Sequence, residues 1–556
     1  MKKESFNYKK NQVKAFNKII FYALLLMSNN LHAQVSKVWI ADNGNGTYKN
    51  PIIHADYSDP DAIRVGDDYY MVSSSFNHIP GLPILHSKDL VNWKLTGHAL
   101  LRQPPFDHFS KVQHGNGVWA PAIRFHNNEF YIYYPDPDFG IYLIKAKNIS
   151  GPWSHPVLVE EGKGLIDPCP LWDDDGKVYL VHAFAGSRAG IKSIIVIKKM
   201  NATGTKTMDN GVLIYDGHEK DSTIEGPKFY KRNRYYYIFA PAGGVSTGWQ
   251  TVLRSKNIYG PYERKVVMDQ GTTNINGPHQ GAWVNTQTGE DWFLHFQDKD
   301  AYGRVVHLQP IKWVNDWPVI GIDKDTDGKG EPALVYKKPN TGKTYLPAGR
   351  QGSVVTPPDS DEFNSPALGL QWQWQANPKP YWSFLTDGKL RLFSYQIPGS
   401  INNYLDVPNL LMQKFPAEEF MATAKLSFKP RLEDERAGLI ILGADYAYLS
   451  IVKKTDGNYI SFSICRSAEK GKTETITEGE KINAADIFLQ VKVTKGGICE
   501  FSFSEDGKSF TAIGEKLTAK PGRWVGAKVG LFCTRTAKTN DSGFADVDYF
   551  RIEPLK

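Results

Sequence analysis

Three carboxylate side chains stand at comparable places in segments that recur along the chain. They are Asp59, Asp167 and Glu225, and each precedes a proline by one or two residues. We expect them to occupy equivalent positions and to face one cavity, where their charges would repel each other unless they serve a purpose. Carboxylates forced together have separated pKa values, which supplies an acid and a base at one pH. The competing interpretation is that these are turn residues without a chemical role.

Other catalytic chemistries lack a matching motif in the sequence. We find no phosphate-binding loop and no serine–histidine elbow, and the four cysteines, at positions 169, 465, 499 and 533, have no close pair of the kind that binds zinc. Two carboxylates acting across a pocket are typical of glycoside hydrolysis. The sequence therefore predicts this reaction class, for which no cofactor is required.

The elements that position these acids are predicted from an internal repeat. A turn rich in Asp, Asn or Gly followed by strand-forming aromatic residues occurs five times, and the copies end at Tyr70, Tyr131, Tyr179, Tyr237 and Phe293. Such a turn followed by an alternating run indicates a hairpin, and one hairpin pair per repeat of this length fits a four-stranded propeller blade. We therefore predict an all-β fold whose first part is a five-bladed β-propeller.

The domain boundaries follow from the period and from composition. Five blades end near residue 330, so the propeller is placed at residues 34–331, with residues 38–50 as a candidate closing strand. A stretch rich in Gly, Pro, Lys and Thr at 332–358 is predicted to be a linker. Alternating apolar runs across 359–556 predict a β-sandwich. Cys169 is expected to be unpaired and packed, whereas a disulfide among Cys465, Cys499 and Cys533 stays open.

Composition and the N-terminal sequence indicate the class of the protein and its cellular location. With 41% hydrophobic and 22% charged residues the chain is globular. Its net charge of +7 lies mostly in residues 1–33, which hold six Lys and one Glu, so we expect no nucleic-acid partner. That segment begins with a Lys-rich stretch, continues with a short apolar run and ends at Leu31-His32-Ala33, which resembles a cleavage site. This order is typical of a secretory signal peptide. We expect a periplasmic or extracellular protein without a membrane span.

Taken together, these motifs resemble glycoside hydrolase family 43. The resemblance covers roughly residues 48–320, and the C-terminal part from Asp361-Glu362-Phe363 onward is similar to the concanavalin-like sandwich that some members append. The resemblance rests on the set of motifs and their order, which are Ser58-Asp59-Pro60-Asp61, Trp119-Ala120-Pro121, Asp167-Pro168, Glu225-Gly226-Pro227 and His279-Gln280-Gly281.

The resemblance implies roles for the three acids. It makes Asp59 the general base that activates water and Glu225 the general acid, with inversion at the anomeric carbon. Asp167 would orient Glu225 and keep it protonated, since a neighbouring negative charge raises a carboxyl pKa.

It also implies binding residues. Phe76 and Trp119 would form apolar walls for a pentose ring, and Ala120 would let the sugar approach. Arg304 stands where the family uses an arginine on sugar hydroxyls. His279 stands where many members direct a histidine toward a central calcium or a water cluster, so a structural calcium in the propeller centre stays open.

The implied activity is exo-acting removal of terminal α-L-arabinofuranosyl residues, with β-D-xylosyl residues as a second substrate, from plant cell-wall polysaccharides or oligosaccharides. A β-xylosidase proper and an endo-arabinanase or fructan-active propeller are alternatives within the enzyme class. A third is a silent glycan-binding protein that uses sandwich aromatics, namely Trp372, Trp374, Tyr381 and Trp382. The natural polymer and the oligomeric state are left open.

Overall fold

The computed structural model describes residues 35–342 and 354–555, and the expected signal peptide at 1–33 lies outside them. Within the described residues the chain is almost entirely β-structure. Its helices are one short α-helix, α1 (Gly186–Ala189), and the 3₁₀ turns His108–Ser110, Asp300–Tyr302, Tyr404–Asp406 and Ala468–Lys470. None of the helices in these ranges has the length and apolar character needed to cross a bilayer.

The first domain is a five-bladed β-propeller, as predicted, and each blade is an antiparallel sheet of four consecutive strands. It is preceded by β1 (Thr47–Lys49). Blade 1 is β2 (Asp61–Val65), β3 (Asp68–Val72), β4 (Gly81–Ser87) and β5 (Trp93–Leu100); blade 2 is β6 (Ala122–His126), β7 (Glu129–Asp136), β8 (Gly140–Ala146) and β9 (Val157–Glu161). Blade 3 is β10 (Leu165–Trp172), β11 (Val178–Phe184), β12 (Ile194–Met200) and β13 (Val212–Asp216); blade 4 is β14 (Lys228–Arg232), β15 (Tyr235–Ala242), β16 (Trp249–Ser255) and β17 (Glu263–Met268). Blade 5 is β18 (His279–Asn285), β19 (Asp291–Asp298), β20 (Arg304–Val314) and β21 (Trp317–Ile320).

The repeated turn motif joins the first and second strands of every blade. In blade 2 the two turn residues, Asn127 and Asn128, have φ of 48° and 59°, which matches the tight hairpin turn that asparagine tolerates. The aromatic residues that follow lie on the second strand and pack between blades, as Tyr69 and Tyr237 do with fully buried side chains. The hairpin prediction is therefore confirmed, and the turn residues together with the buried aromatic side chains explain it.

The first strands of the blades form the inner ring, because β2 contacts β6 and β18, and β10 contacts β6 and β14. Closure differs from the prediction that residues 38–50 add a strand to a blade. Strand β1 pairs instead with β22 (Val335–Lys337), which lies in the stretch predicted to be a linker. Blade 5 completes its own four strands, and the entering chain is tied to it by the bridge between Ile53 and Val306 and by hydrogen bonds of Tyr48 and Asn50 with Leu308.

The second domain is a sandwich of two eight-stranded sheets. Its strands are β23 (Gln373–Trp374), β24 (Ser383–Thr386), β25 (Lys389–Phe393), β26 (Tyr395–Gln396), β27 (Leu411–Lys414), β28 (Phe420–Lys429), β29 (Arg436–Leu442), β30 (Tyr446–Lys454), β31 (Gly457–Cys465), β32 (Thr475–Ile482), β33 (Asp486–Thr494), β34 (Ile498–Ser504), β35 (Thr511–Ala512), β36 (Leu517–Thr518), β37 (Lys528–Arg535) and β38 (Phe544–Glu553). One sheet has the order β23-β27-β37-β29-β30-β31-β32 with β26 beside β37, and the other has β24-β25-β38-β28-β33-β34-β35 with β36 beside β34.

The sandwich core corrects one expectation. Of the four aromatics considered as a glycan-binding surface, Trp372, Trp374 and Trp382 are at most 5% exposed, and only Tyr381 is open to solvent. The three indoles belong to the core cluster between the sheets, because burying their large apolar surface stabilises the fold. All four cysteines are buried free thiols, which confirms the expectation for Cys169 and settles the open question on the others.

The two domains pack into one compact unit. Ile79 of blade 1 and Trp374 of the sandwich exchange backbone hydrogen bonds of 3.0 and 2.6 Å. Tyr302, beside blade 5, is buried in the sandwich core cluster, and its hydroxyl accepts a hydrogen bond from the Gly497 amide at 3.0 Å. Residues 519–527 of the sandwich, between β36 and β37, contact the propeller directly, because the Ala527 amide donates to the Ala301 carbonyl at 2.8 Å. We call this segment the Trp524 loop.

Candidate active site

One cavity gathers the three carboxylates. It has a volume of about 340 Å³, and its lining includes seven of the residues predicted from the sequence: Asp59, Phe76, Trp119, Ala120, Asp167, Glu225 and Arg304. His279, the eighth, does not line it but contacts Glu225 from behind. The cavity lies at the leading ends of the blades' first strands, where the inner ring opens.

Asp59 lies just before β2 with a buried side chain and a φ of 55°. One of its carboxylate oxygens accepts hydrogen bonds from the hydroxyls of Ser58 and Ser74, at 2.7 and 2.5 Å. The Arg304 guanidinium donates to the other oxygen at 3.2 Å and to the Ser58 hydroxyl at 2.8 Å. All of these partners donate to the side chain, so both oxygens of Asp59 act as hydrogen-bond acceptors.

Asp167 lies within β10, where the pairing with β11 shifts between Ile166 and Cys169. Its φ of 57° turns the side chain into the cavity, and its Oδ2 accepts a hydrogen bond from the Gly226 amide at 2.7 Å. Burial, and after it the negative charge of Glu225, raises the pKa of Asp167 to about 7. The nearby negative charge of Glu225 thus makes ionisation of Asp167 less favourable.

Glu225 stands between β13 and β14, and its amide donates to the Pro241 carbonyl at 3.0 Å. Its Oε1 lies 3.1 Å from Nε2 of the fully buried His279. Among the described residues the other ring nitrogen of His279 has no hydrogen-bond partner. Since Nε2 can donate to a carboxylate or accept from a carboxylic acid, this contact can persist through a change of protonation at Glu225.

The position of Glu225 differs from the expected equivalence of the three acids. The residues in the left-handed region at this point of the blades are Asp59, Asp167, Gly226 and Gln280, with φ of 55°, 57°, 60° and 33°. Glu225 is one residue earlier and corresponds to Ser58 and His279. Glycine adopts this conformation without strain, so in blade 4 the backbone turns at Gly226 and the preceding side chain carries the acid.

Aromatic rings form the walls of the cavity. Phe76 and Trp119 meet edge to face with centroids 6.5 Å apart, and Trp119 meets Trp524 in the same way at 6.2 Å. The Arg304 guanidinium lies 5.6 Å from the Trp524 ring centroid. Trp524 comes from the Trp524 loop, so the sandwich domain supplies part of the cavity wall. The sequence offered no signal for it, because its position depends on packing between domains.

The residues around His279 do not by themselves make a calcium cage. In the described part of the chain, the one group of three acidic or imidazole side chains whose ligand atoms converge is Asp323, Asp325 and Asp327, in a turn after blade 5. His279 contributes a single imidazole, and Glu225 is its carboxylate neighbour, whereas calcium requires six or more mainly oxygen ligands. A structural calcium at the propeller centre stays a prediction.

Two family models match the chain: glycosyl hydrolases family 43 over residues 48–318, and the β-xylosidase C-terminal concanavalin A-like domain over residues 360–553. A putative β-xylosidase of Xylanibacter ruminicola is 40% identical over 507 residues, which is 90% of this chain and 88% of that protein. A non-reducing end α-L-arabinofuranosidase of Bacteroides ovatus is 30% identical, over 92% of this chain and 95% of that protein.

A solved structure shares the complete architecture. The family 43 protein BlXynB of Bacillus licheniformis superposes with a TM-score of 0.78 at 28% identity, over 92% of this chain and all of that one. The propeller, the appended sandwich and the three converging carboxylates thus have one explanation. The chain belongs to glycosyl hydrolases family 43 and is a glycoside hydrolase.

Proposed function

We propose that the protein is an exo-acting, inverting glycosidase that removes terminal β-D-xylosyl and α-L-arabinofuranosyl residues from plant cell-wall xylo- and arabino-oligosaccharides. The proposal rests on one cavity that contains all three carboxylates. In it, Asp59 accepts hydrogen bonds from its neighbours, and the negative charge of Glu225 acts on Asp167. The chemistry needs an acid and a base and no cofactor.

In this mechanism Asp59 accepts a proton from the attacking water, with its position fixed by Ser58, Ser74 and Arg304. Glu225 delivers a proton to the leaving oxygen. Asp167 lies beside Glu225, and its hydrogen bond from the Gly226 amide fixes its position relative to this acid. His279 orients the Glu225 carboxyl group from the inner ring.

The form of the cavity supports exo action. An endo-acting enzyme needs a groove through which a chain passes on both sides of the cleaved bond. Here Trp119 and Trp524 stand edge to face across the domain interface, and Arg304 lies next to Trp524. This wall favours a pocket that admits one chain end.

The choice of sugar rests on the relatives. Similarity to a protein named as a putative β-xylosidase is greater, at 40% identity, than to the α-L-arabinofuranosidase, at 30%. We therefore place the β-D-xylosyl residue first, although the sequence resemblance favoured arabinofuranose. The two pentoses present overlapping hydroxyl positions, so one cavity can accept both.

Export belongs to the proposal, because residues 1–33 have the pattern of a signal peptide and polymeric substrates lie outside the cell. Sequencing the mature N-terminus tests it, with Gln34 as the expected first residue.

The purified protein is expected to hydrolyse 4-nitrophenyl β-D-xyloside faster than 4-nitrophenyl α-L-arabinofuranoside, and to act on both. Initial rates with the two substrates at equal concentration measure this. Initial release of xylose and xylotriose in equal amounts from xylotetraose, with xylobiose formed only later, checks exo action. No hydrolysis of either glycoside, together with retained binding of xylo-oligosaccharides, would instead support a binding protein.

Asp59→Asn and Glu225→Gln should each lower kcat by at least about 100-fold on 4-nitrophenyl β-D-xyloside, the scale expected for loss of a general base or acid. A 2,4-dinitrophenyl leaving group needs little protonation, so on that substrate Glu225→Gln should recover most of its activity while Asp59→Asn should not. Unchanged melting temperatures serve as the folding control. Equal losses on both substrates would contradict the assigned roles.

Asp167→Asn should raise the melting temperature at pH 8 and leave it unchanged at pH 4, while lowering activity. The pKa of Asp167 is raised to about 7 in the folded state, above its ordinary value of 3.8. The wild-type protein therefore loses stability as pH rises from about 4 to 7 and carries the full penalty above that range, on the order of 1 kcal/mol or more. Asp107→Asn is the control, because Asp107 is exposed and its side chain makes no cap hydrogen bond. An equal melting temperature for wild type and Asp167→Asn at pH 8 would contradict a strained carboxylate pair.

A further inference from the structure

The buried carboxylate of Asp56 lies outside the cavity lining and joins the two domains. It is 4% exposed and stands three residues before Asp59. Its Oδ1 accepts a hydrogen bond from the Arg304 amide at 2.9 Å, and its Oδ2 accepts one from the Gly526 amide, also at 2.9 Å. The Asp56 side chain thus connects three parts of the structure: the segment that leads to Asp59, Arg304, and the Trp524 loop.

The three backbone segments meet at this point without space for side chains. A Cβ on Gly303, which has a φ of 72°, would lie 2.5 Å from Cγ of Asp56. A Cβ on Gly526 would lie 2.6 Å from the Gly303 nitrogen. Such close approach is possible only for glycine, so small displacements of Asp56 must be transmitted to both neighbours.

The negative charge of Asp56 also acts on two buried lysines nearby. Lys414 on β27 and Lys528 on β37 are directly paired across the sheet, an arrangement in which like charges repel. Burial lowers the pKa of both lysines, that of Lys528 to about 7, and the negative charge of Asp56 acts in the opposite direction on each. An amide at position 56 would match the shape of the carboxylate but would supply neither this charge nor a second acceptor oxygen.

We propose that Asp56 is a positioning residue that holds Arg304 and the Trp524 loop in register with Asp59, so that the sandwich domain completes the sugar-binding cavity. This inference rests on the proposed function for its kinetic consequence, but its structural consequence is independent of the substrate. Asp56 touches no substrate atom. It acts through Arg304 and through Gly526, two residues beyond Trp524.

A double-mutant cycle on 4-nitrophenyl β-D-xyloside tests the coupling, with kcat/KM measured for Asp56→Asn, Trp524→Ala and the double variant. Each single change should lower kcat/KM about tenfold or more, and the double variant should be within about threefold of the worse single variant. The control is Glu435→Gln, because Glu435 is also a fully buried carboxylate whose two oxygens accept backbone amides from two segments, those of Arg431 and Gly543, inside the sandwich. Multiplicative losses in the double variant, or an Asp56→Asn variant as active as Glu435→Gln, would overturn the proposal.

Hydrogen exchange gives a readout that does not depend on activity. Peptides covering residues 521–526 should exchange faster in Asp56→Asn than in wild type, and they should be unchanged in Glu435→Gln. If Asp56→Asn does not fold, hydrogen exchange of the wild-type protein tests the proposal instead. The amides of Arg304 and Gly526 should then both be protected, and unprotected exchange of either amide contradicts the proposal. A wild-type protein inactive on both aryl pentosides counts against the proposed function, whereas the exchange result still decides the role of Asp56.

Discussion

The repulsion between carboxylates in one buried cavity is the constraint to which the rest of the site responds. Asp59, Asp167 and Glu225 converge where the inner strands of the propeller begin, and water is largely displaced from two of them. Each has a different compensation: hydroxyl and guanidinium donors at Asp59, a backbone amide at Asp167, and an imidazole at Glu225. The three carboxylates thus lie in one cavity with unlike hydrogen-bonding surroundings, which is the kind of arrangement that allows two acids to take different roles.

The propeller makes such convergence possible because it repeats one local structure five times around a ring. At the start of the first strand, blades 1, 3, 4 and 5 share a residue in the left-handed region, which turns the neighbouring side chains inward. Blades 1 and 3 carry an acid at that residue, whereas blade 4 carries its acid one residue earlier. The site therefore arises because equivalent backbone positions in different blades carry different side chains. The sandwich domain adds one wall of the cavity, which the propeller does not form.

The sequence was informative where the cause is local. Turn residues such as Asn127 and Asn128 and the aromatic runs after them predicted the hairpins, and the Asp-Pro and Glu-Gly-Pro motifs predicted which blades carry acids. It did not show the one-residue offset of Glu225, since that depends on which residue adopts a positive φ. The contact of His279 with Glu225, the part played by Trp524, and the burial of Trp372, Trp374 and Trp382 depend on packing between segments distant in the chain, which periodicity does not report.

The central claim is that Asp59 acts on a water molecule across the cavity from the Asp167–Glu225 pair and does not itself attack the sugar. Proton NMR of the first minutes of hydrolysis of an aryl β-D-xyloside tests this most directly, because it shows the anomeric configuration of the sugar as it is released. We expect α-xylose to appear first and added methanol to give no methyl xyloside. Initial release of β-xylose, or accumulation of methyl xyloside, would show a covalent intermediate on Asp59 and contradict the account.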